Sequence, residues 1–423
     1  MGATETEGIG AYVLDVGTGE VVDVFKASAQ AEPERTDTGV RPWIEPRHAA
    51  SDLLHFFDTN TWHRRCVRLV AVLSAGLGWT LERDPDAEAG AGDADGETRA
   101  TKLLRRCNDD GEAWEDVAVK VVTDLIAVGY AGLEVVRNGK GEPCELHHVP
   151  ARTLRRAKDR KAFYQVTKPG GRPVRFLPFG AKKGTAGRPG ARSEPHRGPR
   201  SELVWLSSYD PRDDFYGAPE WLPALGAMAL DRSALAYNVG MFSNSMLGVT
   251  ALVVEGGKLD PAAVETVKGF IARTATGTEN AGRVLVLQQD RDTAKIRIEK
   301  LSVETKDLGF TAGRAALRDE VVSAHGVPPR LVGIVASGQI GATGEVEGQL
   351  QMFREASLRP VQRVLSGALR PVLAALGAGA WRVRLSEIDV TDLKADAAFY
   401  GAMLAGGVLD AKDVRARIDG RRG

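Results

Sequence analysis

A helix that reaches His325 cannot continue past Gly326 and the adjacent Pro328 and Pro329, and no other stretch restricts the folding of this chain as sharply. Gly326 suits the left-handed position that follows a helix, and two prolines remove the N–H groups another turn would need. Glycine then recurs at every third position, Gly338, Gly341 and Gly344, and Thr343 can cap a new helix whose first turn carries Glu345 and Glu347. That helix is expected to run from 345 to 376 and to span roughly 48 Å. Pro360 and Pro371 lie within it, about three turns apart, so each should kink it toward the same side.

The link between the two helices is long, and its glycines permit many backbone conformations at low strain. A phosphate loop would need G-x-x-x-x-G-K-[ST], with lysine on the phosphates. Residues 331–350 contain no lysine, join helix to helix, and lack G-x-G-x-x-G. What remains is a nearly uncharged loop, Ser337, Gly338, Gln339, Ile340, Gly341, Ala342, Thr343 and Gly344, offering Gln339 and Thr343 as neutral hydrogen-bonding groups. Such a loop suits contact with a moving partner that must not be trapped.

Charge is consistent with that reading. Lys plus Arg and Asp plus Glu both number 56, so the net charge is zero, whereas a static nucleic-acid grip calls for a basic excess. The three cysteines, Cys66, Cys107 and Cys144, form no CxxC pair, and the odd count argues against a disulfide framework and for a reducing folding compartment. The first residues show no secretory pattern, although they match the short M-G-x-x-x-[ST] acylation pattern. No run of 18 apolar residues occurs, so no membrane partner is expected.

Along the chain, 11–25 reads as a hairpin around Gly-Thr-Gly. Its "DVGTG", from Asp15 to Gly19, also resembles the phosphate loop of actin-like ATPases, but the later motifs of that family are not evident. Helices are expected at 47–58 and 61–75, a strand at 78–84, a solvated acidic loop at 84–97, a strong helix at 115–129 and a strand–turn–strand at 130–150. Residues 180–200, basic and rich in Gly and Pro, read as an exposed arm. A long helix over 219–247 has Met228, Leu235, Val239, Phe242 and Met246 on one face, and a compact strand–helix–strand–strand unit occupies 249–301. Neither H-E-x-x-H nor G-x-S-x-G is present. His147 and His148 should point to opposite faces of a strand. Asp109 with Asp110, and Asp213 with Asp214, read as solvated turns. No catalytic residue, metal site or cofactor is expected, and the chain is read as a non-enzyme.

The order of "GYAGLEVVRNGKGEPCELHHVP", "YGAPEWLPALGAMALDRSALAYNVGMFSNSM" with "GVTALVVEGGKLD", "NAGRVLVL", "VPPRLVGI" with the glycine-rich loop, and "FREASLRPVQRVLSGALRPVL" resembles the portal protein family of tailed bacteriophages and prophages, over residues 112–376. The resemblance implies an α+β portal-like fold. Its parts would be an N-terminal hairpin and flexible segment (1–45), a mixed wing (46–217, with 84–97 and 180–200 as insertions), a stem helix (218–248), a small α/β clip (249–305), a second stem helix (306–326), a tunnel-loop region (327–344), a kinked long helix completing the wing (345–390) and a short helical crown (391–423). It implies a homo-oligomeric ring, usually of twelve subunits, at a capsid vertex of the virion, assembled in the bacterial host cytoplasm. Double-stranded DNA would pass through the ring during packaging and ejection. The implied partners are the terminase large subunit, the head–tail adaptor, and the major capsid and scaffold proteins. Another head-assembly or adaptor protein, or a nucleotide-binding enzyme using Asp15 to Gly19, are the alternatives.

Overall fold

The computed structural model describes residues 12–14, 21–23, 41–85, 87, 93–167, 171–181, 201–243, 250–255, 295–300, 311–334, 343–388 and 393–415. Backbone contacts divide the chain into two compact units, Glu32–Leu222 with Val322–Gly423, and Met1–Ala31 with Pro223–Val321. Helix and sheet are mixed throughout, as the expected α+β class requires.

The larger unit is built on a seven-stranded sheet of order β3-β7-β8-β9-β10-β5-β6. Its strands are β3 (Trp43–Ile44), β5 (Tyr130–Arg137), β6 (Pro143–Val149), β7 (Leu154–Ala157), β8 (Phe163–Gln165), β9 (Val174–Pro178) and β10 (Ser201–Ser207). Neighbours are antiparallel except β9 and β10, where Leu177 lies beside Glu202 and Pro178 beside Leu203 in parallel. The expected hairpin at 130–150 is β5 and β6, closed by a turn in which Gly141 N–H donates to the Asn138 carbonyl at 2.9 Å. Two further strands, β4 (Trp79–Arg83) and β13 (Trp381–Leu385), make a separate antiparallel pair.

Helices α1 (Ala50–Thr59), α2 (Thr61–Ala75) and α4 (Trp114–Val128) pack together, and α4 lies on β5 and β6. The cause is local. Asn60 caps α2 by accepting the His63 N–H at 2.9 Å, and the 3.6-residue spacing of Cys66, Val70 and Ser74 puts them on one buried face. In α4, Val117, Val121 and Leu125 are buried at the same spacing. Each buried side chain of this size stabilises the fold by about 1.5–3 kcal/mol. Asp116 accepts the Ala113 N–H at 3.0 Å to start α4, and Gly129 ends it at φ +93. A Cβ on Gly129 would meet the Ala218 carbonyl carbon at 2.6 Å, so the site excludes larger residues by packing as well as by backbone angle. Helix α8 (Arg359–Ala375) covers β13 with Leu365, Leu369, Val372 and Leu373 buried.

The loop expected at 84–97 is shorter than the sequence suggests. Helix α3 (Asp93–Arg105) takes its last five positions, with Asp93 and Asp95 in the first turn and Lys102 and Arg105 in the last, matching the helix dipole at both ends. An acidic, glycine-bearing stretch was therefore a helix start as well as a loop. Of the basic stretch 180–200, residues 182–200 lie outside the described residues.

In the smaller unit, β1 (Tyr12–Leu14) and β2 (Val21–Asp23) pair antiparallel as the expected hairpin, with Leu14 opposite Val21. Residues 15–20 lie outside the described residues. The helix expected over 219–247 is a 3-10 turn, Leu222–Ala224, followed by α5 (Leu225–Ser243). Its expected single face divides: Met228 is buried at 1% exposure, while Leu235 and Val239 stand 48% and 54% exposed. The side chains of Phe242 and Met246 lie outside the described residues. Strands β11 (Thr250–Glu255) and β12 (Lys295–Lys300) pair antiparallel over six residues, and residues 256–294, which contain the expected inner helix and strand, lie outside the described residues. Helix α6 (Thr311–Ala324) begins here and ends in the larger unit. In the smaller unit Arg314 and Asp231 pair at 2.6 Å. Among the described residues, no helix is long and apolar enough to cross a membrane.

Candidate functional site

The glycine-rich segment lies between two described ends. At the first, α6 stops as its sequence demands: the Gly326 N–H donates to the Ser323 carbonyl at 2.9 Å and Gly326 adopts φ +61. Pro328 is extended, and Pro329 opens a 3-10 turn, Pro329–Val332, closed by Gly333 at φ +87. Val327 and Val332 anchor the turn in the core at 3% and 9% exposure, and the Ile334 N–H donates to the Pro329 carbonyl at 2.9 Å. Ser337, Gly338, Gln339, Ile340, Gly341 and Ala342 lie outside the described residues.

The second end differs from the expectation. Helix α7 (Thr343–Phe353) already includes Thr343 and Gly344, which therefore belong to its first turn instead of to the loop. The single rod expected from 345 to 376 is two helices, α7 and α8, joined by a π turn, Arg354–Leu358. The physical reason is Pro360. It has no N–H to give and its ring collides with a carbonyl four residues back. Widening the preceding turn relieves this, and the Arg359 N–H accordingly reaches back five residues to the Arg354 carbonyl. Pro371 sits inside α8, which runs on to Ala375.

The π turn is held from both sides. Arg359 donates to Glu387 at 2.8 and 3.0 Å and to Glu355 at 2.6 and 2.7 Å. The Arg359 hydrogen bond holds the Glu387 carboxyl below the usual carboxylate range. Ser357 Oγ donates to the Gly326 carbonyl at 3.4 Å, and a Cβ on Gly326 would stand 2.9 Å from the Ser357 Oγ. Thus Gly326 is favoured by its backbone angle, and a larger residue would also displace the Ser357 hydroxyl.

Beside the first end lies an imidazole pair. His63 Nδ1 and His325 Nε2 are 2.9 Å apart, although 262 residues separate them in sequence. Trp221 packs on His63 at 4.2 Å between ring centroids and fixes itself through Nε1–H to the Ile126 carbonyl at 2.9 Å. Burial, with a smaller push from His325, lowers His63 to about 3. Burial alone lowers His325 to about 4. Both rings are therefore neutral at pH 7, and one shares its single proton with the other. Sequence reading missed this pair, because each histidine alone looks like an ordinary helix residue and no local period connects them.

The remaining polar pairs are structural. His147 bonds Glu145 at 2.8 Å while His148 bonds Asp124 at 2.7 Å, so the two histidines do diverge. Asp124 also accepts the Ala151 N–H at 2.7 Å, which ties the end of β6 to α4. Asp109 and Asp110 are exposed as expected. Asp213 is not a solvated turn residue: it is buried and accepts the Phe215 and Tyr216 N–H groups at 2.7 and 3.1 Å. Its position in a turn with two downstream donors made it a cap. Among the described residues, no group of three or more His, Cys, Asp or Glu could hold a metal ion.

Comparison with known proteins agrees with this architecture. The chain is 22% identical over 445 residues to the PBSX phage-like element protein XkdE of Bacillus subtilis (strain 168), covering 93% of this chain and 88% of that one. It is 24% identical over 244 residues to the probable portal protein of Escherichia phage P2, covering 57% of this chain and 63% of the relative. Among solved structures, the neck of an empty gene transfer agent particle computed with C6 symmetry aligns with a TM-score of 0.59, at 22% identity, over 93% of this chain and 98% of that one. The neck of the native particle computed with C12 symmetry aligns at 0.57, at 22% identity, over 89% and 94%. A family model described as phage portal protein matches residues 61–419. With that match spanning most of its length, the chain belongs to the phage portal protein family, whose general role is to form a ring at a capsid vertex.

Proposed function

We propose that this chain assembles through α5 into a twelve-membered portal ring and presents residues 337–344 to double-stranded DNA moving along the axis. The observation that carries the assembly is α5 itself. At 3.6 residues per turn, Leu230 and Tyr237 fall within about 20° of each other, and Leu235 and Val239 fall on the opposite side. All four are between 47% and 58% exposed in the single chain. A helix apolar on opposite sides needs cover on both, and a subunit in a closed ring has a neighbour on each side. The C12 symmetry of the native gene transfer agent neck supports the subunit number.

The domain assignments follow the same reading. The larger unit is the wing with the crown at its C-terminal end, α5 and α6 are the stem, and 249–305 is the clip, which meets the packaging motor and later the head–tail adaptor. Capsid and scaffold proteins contact the wing, and assembly takes place in the host cytoplasm before the ring enters the virion. The chain acts as a conduit and not as an enzyme. Because DNA carries one charge per roughly 1.7 Å of axis, an uncharged loop repeated around the ring lets the duplex slide where a basic one would hold it.

Electron microscopy of the purified chain tests the reading. Rings with an axial hole are expected, and a chain that stays monomeric under all assembly conditions contradicts it. Removing residues 339–342 should leave the rings intact and impair packaging or DNA retention. Rings with normal packaging would take the loop off the DNA path while leaving the assembly reading in place.

A further inference from the structure

We infer that the larger unit binds one internal water molecule where residues 46–48, the start of β5 and the turn 210–219 meet. A small cavity there is lined by Arg47, His48, Tyr130, Asp210, Asp213 and Tyr216. Its interior volume is about 10 Å³, close to the roughly 10–15 Å³ that admits the centre of one water. Tyr130 is 1% exposed, and its hydroxyl has no hydrogen-bond partner among the described residues. The same holds for His48 Nε2. Arg47 Nε is orphaned as well, so three residues turn unpartnered polar atoms to one cavity of that size, and a water needs two to four such partners.

Tyr216 and the two aspartates already hold partners. The Tyr216 hydroxyl accepts the Arg156 N–H at 2.8 Å and donates to the Ile44 carbonyl. Asp210 accepts the Arg212 N–H at 2.9 Å, and Asp213 uses Oδ1 for the Phe215 and Tyr216 N–H groups. The occupant is neutral because the charges around it balance: Arg47 and Arg212 stand against Asp210 and Asp213. A metal cation would meet Arg47 on the lining, and an anion would meet two carboxylates. A water accepts the Tyr130 O–H and donates to His48 Nε2, with its second proton directed to the aspartates. It joins three chain segments, including the turn through which the chain leaves β10 for α5.

Tyr130→Phe in the full chain gives opposite signs for the two cases. In a dry cavity the substitution removes an unsatisfied buried hydroxyl, so the melting temperature holds or rises. With water bound it strips that water of a partner, and the melting temperature falls by roughly 2–4 °C. A crystal or cryo-electron microscopy map that shows ordered solvent supplies the second reading. One solvent peak within hydrogen-bond distance of both Tyr130 Oη and His48 Nε2 is expected. A map without that peak, a peak with cation-like coordination, or a melting temperature that does not fall overturns the assignment, and the map decides if the variant does not fold.

Discussion

Helices α4 and α5 are both rich in apolar residues, yet they meet opposite fates within one chain. Eight of the fifteen residues of α4 are buried against α2, β5 and β6. Along α5, Leu230, Leu235, Tyr237 and Val239 remain about half exposed. The difference teaches that apolar periodicity identifies a surface to be covered without saying who covers it. For α4 the cover is the chain's own sheet, so its interior side chains contribute to folding. For α5 the proposed cover is a neighbouring copy on each side, in which case its side chains contribute to association.

The largest effect belongs to the covered helix. Val121→Asp places a carboxylate at a position with 0% exposure, and an unpaired buried charge should cost about 4 kcal/mol or more. Loss of the cooperative unfolding transition, or of soluble protein, is the expected result; a near-normal melt would mean that α4 is not the core element its burial indicates.

A smaller effect tests the same unit through acid. His63 and His325 titrate at about 3 and about 4 in the folded chain, against 6.5 for the free side chain. The unfolded chain therefore takes up protons first as pH falls, so stability is full above pH 6.5 and declines as pH drops toward 4. At pH 5 the loss should be on the order of 2 kcal/mol per histidine. Denaturant unfolding at pH 7 and pH 5 checks this, and His63→Gln should flatten the dependence; an equal slope in the variant would remove the pair from the explanation.

The smallest stability effect belongs to the uncovered helix. Leu235→Asp should change single-chain unfolding by only about 0.5 kcal/mol and yet abolish rings in sedimentation or electron microscopy. If it unfolds the monomer instead, the contrast between the two helices collapses.

These outcomes track what the sequence could disclose. Elements governed by neighbours along the chain were legible: α2 and α4 by their spacing, β5 and β6 by their turn, and the end of α6 by Gly326 and its prolines. Elements governed by distant partners were not. Residue 201 begins the strand that joins β9 to β5, and Ser201 pairs with Val136, 65 positions earlier, which no local pattern reveals. The π turn was hidden because a proline announces that a helix must yield without stating how. The His63–His325 contact depends on two helices meeting at their ends. Residues 337–342 lie outside the described residues, while the contacts of Gly326, Ser357, Arg359 and Glu387 beside them depend on packing between distant segments.

The parallel pairing of β9 with β10 carries a practical consequence. Leu177 lies beside Glu202 and Pro178 beside Leu203, so a chain leaving β9 has to step back only about 7 Å, two strand residues, to enter β10. A connection between parallel neighbours calls for a dozen or more residues, and this sequence supplies 22 between Pro178 and Ser201. The connection therefore exceeds that minimum by about ten residues, and an epitope tag or a reporter peptide grafted between 182 and 200 should leave the strand order untouched.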